Sequence, residues 1–175
     1  MSAKKEVAEI QATLDTMIQP GQVVELRIIG GGGKKKRIDS GYFDDMATLA
    51  NAAQRYNGRA AIYFTPNPVA PDLLSRAANR VQEWVESGAT TTDTQITRRH
   101  WLLIDADPKR LAGISSTDAE HEAALKRMKD LVAYLTGRGW PAPILADSGN
   151  GAHANYRIDL PNDAASTQLI QQGLS

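Results

Sequence analysis

The run Trp101-Leu102-Leu103-Ile104-Asp105-Ala106-Asp107-Pro108 decides the fold of this chain. Its four leading apolar residues read as a buried central strand. A strand places residues i and i+2 on one face, about 6.6 Å apart at a rise of ~3.3 Å per residue. Asp105 and Asp107 therefore share a face at the end of that strand. Hard cations such as Mg²⁺ or Mn²⁺ prefer oxygen ligands, and two-metal phosphoryl transfer needs a carboxylate clamp of this kind. The competing reading is that both aspartates end the strand and begin the turn before Pro108.

Downstream of this strand, helical spacing of Leu125, Met128, Leu131, Val132 and Leu135 predicts a helix over 117–137. A strand over 143–146, a glycine turn and a returning strand over 152–158 follow. Pro161-Asn162-Asp163 starts a final helix with Ala164, Leu169 and Ile170 on its apolar side. The turn belongs to the second chemical feature, Ser148-Gly149-Asn150-Gly151-Ala152-His153. Its glycines let the backbone approach a ligand, and turn amides at Gly149 and Asn150 can cradle phosphate oxygens. Ser148 brings a hydroxyl donor and His153 a ring N–H. Asn-Gly is also a strong hairpin signal, and on that reading His153 is an ordinary strand residue.

Upstream, Val7, Ile10, Leu14 and Met17 recur at helical spacing until Pro20-Gly21. A strand over 23–29 sets Leu26 and Ile28 on one face and Arg27 on the other. Gly30-Gly31-Gly32-Gly33 and Lys34-Lys35-Lys36-Arg37 follow, which predicts a hairpin with a mobile basic tip. Such a tip is either a solvated loop or a grip on a nucleic-acid backbone. Asp44 or Asp45 caps a second helix bearing Met46, Leu49, Ala50 and Ala53. A strand over 60–64 is broken by Thr65-Pro66-Asn67-Pro68. A longer helix is expected over 72–86, with Leu73, Leu74, Ala77, Val81, Trp84 and Val85 inward. The polar loop 88–97 marks the internal boundary. Arg98 and Arg99 before the aspartate strand, and Lys109 and Arg110 after it, either neutralise a triphosphate or balance the carboxylates. Trp84, Trp101 and Trp140 read as core residues, with base stacking as the other possibility.

The composition narrows the classes. At 175 residues the chain is one domain, or one with a small appendage. Twenty basic residues balance twenty acidic ones, so a nucleic-acid surface has to be a local patch. With no cysteine there is no disulfide framework, thiolate zinc site or cysteine nucleophile. No signal-peptide core or membrane-length apolar stretch is present, which predicts a cytoplasmic protein without a membrane partner. Gly33-Lys34 is not a phosphate-binding loop of Walker type, because Ile28 holds the required glycine position. His121-Glu122 lacks the second histidine of a zincin, since Leu125 stands there.

A strand ending in Asp-x-Asp, a helix, and a hairpin bearing Ser-Gly-x-Gly-x-His resemble the core of the archaeo-eukaryotic primase superfamily. More narrowly, they look like the primase-polymerases of phages, plasmids and other mobile elements. The likeness extends over Gly113-Ile114-Ser115-Ser116-Thr117, Tyr156-Arg157-Ile158-Asp159-Leu160-Pro161, Ser40-Gly41-Tyr42-Phe43 and Asn67-Pro68-Val69, and so over most of the chain. The resemblance implies an α+β fold, a small α/β module (1–92) packed on an RRM-like module (93–175). It implies that Asp105 and Asp107 bind Mg²⁺ or Mn²⁺, and that Ser148 and His153 contact a dNTP or NTP. The implied activity is template-directed nucleotidyl transfer on DNA, with Asp105, Asp107 and His153 in the catalytic centre. Ser148, Gly149, Asn150, His153 and Arg99 would hold the nucleotide, and Lys34, Lys35, Lys36 and Arg37 the nucleic acid.

The family's third acidic ligand sits on a strand after the final helix seen here. Asp159 and Asp163 read as strand-exit and helix-cap residues. The expectation is therefore an N-terminal part of a longer protein, continuous with further C-terminal domains, that binds metal weakly and is inactive alone. Two other readings are a non-catalytic RRM-like nucleic-acid-binding module and a rolling-circle nickase using His153 and Tyr156. Against the first, such sheets display aromatics, and aromatics are 6% here. Against the second, the remaining histidines, His100 and His121, are not two residues from His153.

Overall fold

A computed structural model of the chain describes residues 3–30, 37–86, 88–109, 111 and 114–174. The fold is mixed α+β, with four helices and two three-stranded sheets among the described residues. It forms two compact units, Met1–Arg99 with Leu160–Ser175, and His100–Asp159. The sequence reading divides the chain after residue 92; the units divide after Arg99, and the 160–175 segment belongs to the first.

In the first unit, α1 (Ala3–Met17) precedes β1 (Val24–Gly30), β2 (Arg37–Phe43), α2 (Met46–Gln54) and β3 (Ala61–Phe64). The sheet order is β2-β1-β3, and β1 is antiparallel to both neighbours. Period-two alternation turns Leu26 and Ile28 into the core, and they are almost completely buried, as are Leu14, Phe43, Leu49 and Ala50. The β1–β2 register runs from Val24↔Phe43 to Gly30↔Arg37, which is the expected hairpin. Lys34, Lys35 and Lys36 lie outside the described residues, whereas Arg37 is the first residue of β2 and not part of the tip. Asp45 is the α2 cap, accepting the N–H groups of Ala47 and Thr48 at 3.0 and 3.2 Å.

The helix expected over 72–86 does not form. A 3₁₀ turn covers Pro71–Arg76 and buries Leu73, and the chain then runs irregularly along the outer edge of β2. Ser40 and Gln82 exchange backbone hydrogen bonds at 3.0 and 2.8 Å, and Val85 N–H donates to Ile38 at 2.9 Å. Gly41 makes this approach possible, since a Cβ there would collide with the Arg80 carbonyl. An edge strand needing partners outweighs helix propensity here. The result leaves Asn79 and Trp84 at φ of +49° and +54°. Left-handed backbone costs roughly 1–2 kcal/mol for residues with a Cβ. Trp84, expected inward, is 64% exposed.

The second unit contains most of β4 (Arg98–Ala106), then α3 (Asp118–Gly137), β5 (Ile144–Asp147) and most of β6 (Ala152–Pro161). Strand order is β4-β6-β5, so β6 is central and β4 is an edge strand rather than the expected centre. Leu102, Ile104 and Ala106 pack with Met128, Leu135, Ala154 and Tyr156 in the core, while Leu103 on the other face is 50% exposed. A run of four apolar residues does not distinguish one buried face from two. Thr117 and Glu120 form a capping box at the start of α3, whose buried face is the expected one.

α4 (Ala164–Leu174) belongs to the first unit. Asp163 caps it by accepting Ser166 N–H at 2.8 Å. Its inward face carries Ser166 rather than Leu169, which is 57% exposed. Asn162 ties the entry to α4 back to the first unit, donating to the carbonyls of Asp93 and Ile96 at 2.7 and 2.8 Å.

Candidate active site

Two strand neighbours and one turn bring the sequence features together in the second unit. β6 lies between β4 and β5, so His153 at the start of β6 comes beside the end of β4. His153 Nε2 is 3.4 Å from Asp105 Oδ1, with the carboxylate about half exposed. Gly151, just before β6, lies against the Ala106 carbonyl and the Asp107 carboxylate, and a Cβ there would collide with both. The glycine is therefore required for close approach between the turn and the Asp-x-Asp strand.

The turn itself is internally satisfied. Asp147 pairs with Ala152 and Ala146 with His153 in the antiparallel β5–β6 register. Ser148 N–H donates to the Gly151 carbonyl at 3.0 Å, and Gly151 N–H donates to Ser148 Oγ at 2.9 Å. Gly149, at φ +78°, donates its N–H to Asp147 Oδ1 at 2.7 Å. Both glycine amides are thus engaged within the turn. Asn150 Oδ1 accepts the Ser116 N–H at 3.0 Å, anchoring the turn to the segment before α3. The Ser148 O–H, the Asn150 side-chain amide and the His153 ring are groups able to donate to an anion.

Sequence reasoning missed a pair that braces this turn. His121 on α3 and Asp147 at the end of β5 meet at 2.8 Å. The Gly149 N–H first, and His121 second, hold the Asp147 carboxyl below its ordinary value. An aspartate two residues before a turn glycine is a readable signal of this arrangement. Its histidine partner, a tertiary neighbour, is not.

The Asp105 and Asp107 carboxylates are oxygen donors of the kind Mg²⁺ or Mn²⁺ prefers. Among the described residues no three of His, Asp and Glu converge as a metal-holding group. Asp105 and Asp107 are the carboxylates here that could share an ion with phosphate oxygens and water, as one or two carboxylates do at Mg²⁺ sites. Beside Asp107 a cleft of about 330 Å³ runs along α3, bordered by Glu120 and Arg127.

Other candidate residues lie elsewhere. Arg99 Nη2 donates to Thr167 Oγ1 of α4 at 3.2 Å, within the first unit. Arg37 pairs with Asp39 and Glu83 at 2.8 and 2.7 Å. Arg110 lies outside the described residues. Tyr156 is fully buried with its hydroxyl enclosed, so as placed it cannot attack DNA as a nickase nucleophile. Trp101 and Trp140 pack as expected, Trp101 beneath the Arg157 guanidinium and Trp140 edge-on to Tyr156. Among the described residues no helix is long and apolar enough to cross a membrane. No protein-family model, curated protein or solved structure matches the chain.

Proposed function

We propose that the chain is the nucleotide- and metal-binding core of a DNA primase-polymerase, a template-directed nucleotidyltransferase that uses dNTPs or NTPs. The observation that carries this reading is the meeting of two sequence-distant motifs. His153 comes to 3.4 Å from Asp105, and Gly151 seats the Ser148 turn against Asp107. Carboxylates for a cation and donors for a triphosphate thus stand side by side.

In this reading Asp105 and Asp107 hold Mg²⁺ or Mn²⁺. A divalent ion held there would neutralise triphosphate charge and make an attacking 3′-hydroxyl more acidic. The 3′-hydroxyl gives up its proton to solvent, and its oxygen forms a bond to the α-phosphorus as the bond to the bridging oxygen breaks, releasing pyrophosphate. His153, oriented by Asp105, donates its ring N–H to a phosphate oxygen, and Ser148 donates its hydroxyl. Asp147, His121 and Asn150 hold the turn in the geometry that aims those donors. Most of the contribution is positioning and electrostatics, as in other phosphoryl transfers.

Calorimetric titration tests the reading directly. The parent should bind Mn²⁺, and a triphosphate should tighten that binding. Asp105→Ala with Asp107→Ala should abolish it while circular dichroism stays unchanged. His153→Ala should weaken metal-dependent triphosphate binding by more than the ~0.5–1.5 kcal/mol of a neutral hydrogen bond, because phosphate is charged. Unchanged Mn²⁺ binding in the double variant would sink the proposal.

A further inference from the structure

The first unit carries a feature that the catalytic centre does not use. Trp84 is 64% exposed, the largest aromatic side chain left open among the described residues. Its backbone sits at φ +54°, a conformation that a bulky residue adopts only when its surroundings impose it. The imposing contacts are specific. Trp84 N–H donates to Asp39 Oδ1 at 2.9 Å, and the next residue pairs with Ile38. Asp39 in turn accepts from Arg37, and Arg37 also reaches Glu83 at 2.7 Å. The Arg37 guanidinium then lies over the indole, 5.1 Å from the ring centre. One face of the ring is backed by a cation and the ring remains open to solvent.

Next to the indole is a groove of about 460 Å³, within the ~300–1,000 Å³ range of small-ligand sites. Ser40, Tyr42, Arg76, Gln82 and Glu86 line it with Trp84. Its lining offers a planar aromatic, a guanidinium and an amide, a combination suited to a base with its sugar-phosphate. Glu86 is the opposing charge at the groove, since Glu83 is already paired to Arg37. Arg37 also ends a run of four basic residues in the sequence.

We propose that Trp84, backed by Arg37, is a stacking platform for a base of single-stranded nucleic acid. The choice of partner rests on the polymerase reading above. Aromatic stacking is tolerant of base identity, so the platform holds a strand without reading its sequence. Asp39 and Arg37 are positioning residues that present the ring.

The test titrates the full chain with a labelled oligothymidylate in the absence of divalent metal and triphosphate. Binding should quench tryptophan fluorescence. Trp84→Gly is the informative variant, because glycine is at ease at positive φ and removes only the indole. It should keep or raise thermal stability, lose the quench, and bind the oligonucleotide about fivefold or more weakly. Trp84→Phe should retain most of the affinity. The proposal is overturned if Trp84→Gly binds as tightly as the parent, or if the parent binds no oligonucleotide. It is equally overturned if the variant loses only self-association in sedimentation, which would make the indole a protein contact. Failure of the catalytic reading is seen separately, in Mn²⁺ and triphosphate titrations at Asp105 and His153.

Discussion

Gly151 is seated so close to the Ala106 carbonyl and the Asp107 carboxylate that the space does not admit a methyl group. Gly151→Ala must therefore move either the turn or the end of β4. We expect a loss of ~1–3 kcal/mol in stability, the usual range for overpacking. Mn²⁺ and triphosphate affinity should fall further than that loss explains. Gly149→Ala is the contrast. No atom lies within 4 Å of the Cβ it would add, and its penalty is the positive φ of +78° alone. Gly149→Ala should cost about 1 kcal/mol and keep Mn²⁺ binding. Equal effects of the two substitutions on Mn²⁺ binding would remove Gly151 from the site.

The contrast between those glycines shows where sequence reading reaches. Local signals were sufficient for the strand at 23–29, the Asp45 cap, the apolar face of α3 and the Asn-Gly turn, because periodicity and capping are properties of neighbours in the chain. The segment 72–86 was not legible. Leu73 and Ala77 have helical spacing and both are buried, but their surroundings are a 3₁₀ turn and the open edge of β2. Only the tertiary demand of that edge, with Gly41 making room for Arg80, turns the chain outward at Trp84. The edge position of β4 and the His121–Asp147 pair are likewise long-range outcomes. So is the inward turn of Ser166, whose backbone is held by Asp163.

Glu25 predicts an acid-sensitive first unit. Its side chain is fully buried; burial raises the pKa, but hydrogen bonds from Arg27, Ser40 and Thr91 outweigh it and leave the pKa below the ordinary value. A carboxyl with a depressed folded pKa adds stability that is present above its unfolded pKa. That stability is lost as pH falls through the folded value. Urea midpoints should accordingly drop on acidification below about pH 4.5, and Glu25→Gln should flatten that limb. At neutral pH Glu25→Gln should cost roughly 1–3 kcal/mol, because it weakens the bonds from Arg27 and Ser40. An acid limb of the same slope in the variant would assign the sensitivity to other groups.

Thr117 tests how the Asn150 anchor is set. Its hydroxyl accepts Glu120 N–H at 3.3 Å, and the Glu120 carboxylate returns to Thr117 N–H at 2.8 Å. Thr117 directly follows Ser116, which donates to Asn150 of the candidate site. Thr117→Ala should lower stability by ~0.5–2 kcal/mol, as for other N-caps. It should also weaken triphosphate binding more than Mn²⁺ binding, since the turn and not the carboxylates loses its anchor. A stability loss with both affinities intact would limit Thr117 to the helix.

Tyr156 provides a prediction that separates chemistry from packing. The residue is fully buried, its ring meets Trp140 edge-on at 5.1 Å and 86°, and its hydroxyl has no hydrogen-bond partner among the described residues. A buried hydroxyl without a partner costs ~1–3 kcal/mol of desolvation, so removing it should relieve the core. Tyr156→Phe keeps the ring and its contact with Trp140, and should leave the melting temperature unchanged or raise it. Tyr156→Ala should instead cost ~3–5 kcal/mol through the cavity it opens between α3 and β6. The same Tyr156→Phe protein should retain Mn²⁺-dependent triphosphate binding in full, because Asp105, Asp107, Ser148 and His153 are untouched. Under a nickase mechanism that substitution would remove the nucleophile and with it any covalent protein–DNA adduct. Incubation of parent and variant with single-stranded DNA, followed by denaturing electrophoresis, decides the point. An adduct formed by the parent and lost in Tyr156→Phe would require the buried hydroxyl to emerge and would replace the polymerase reading.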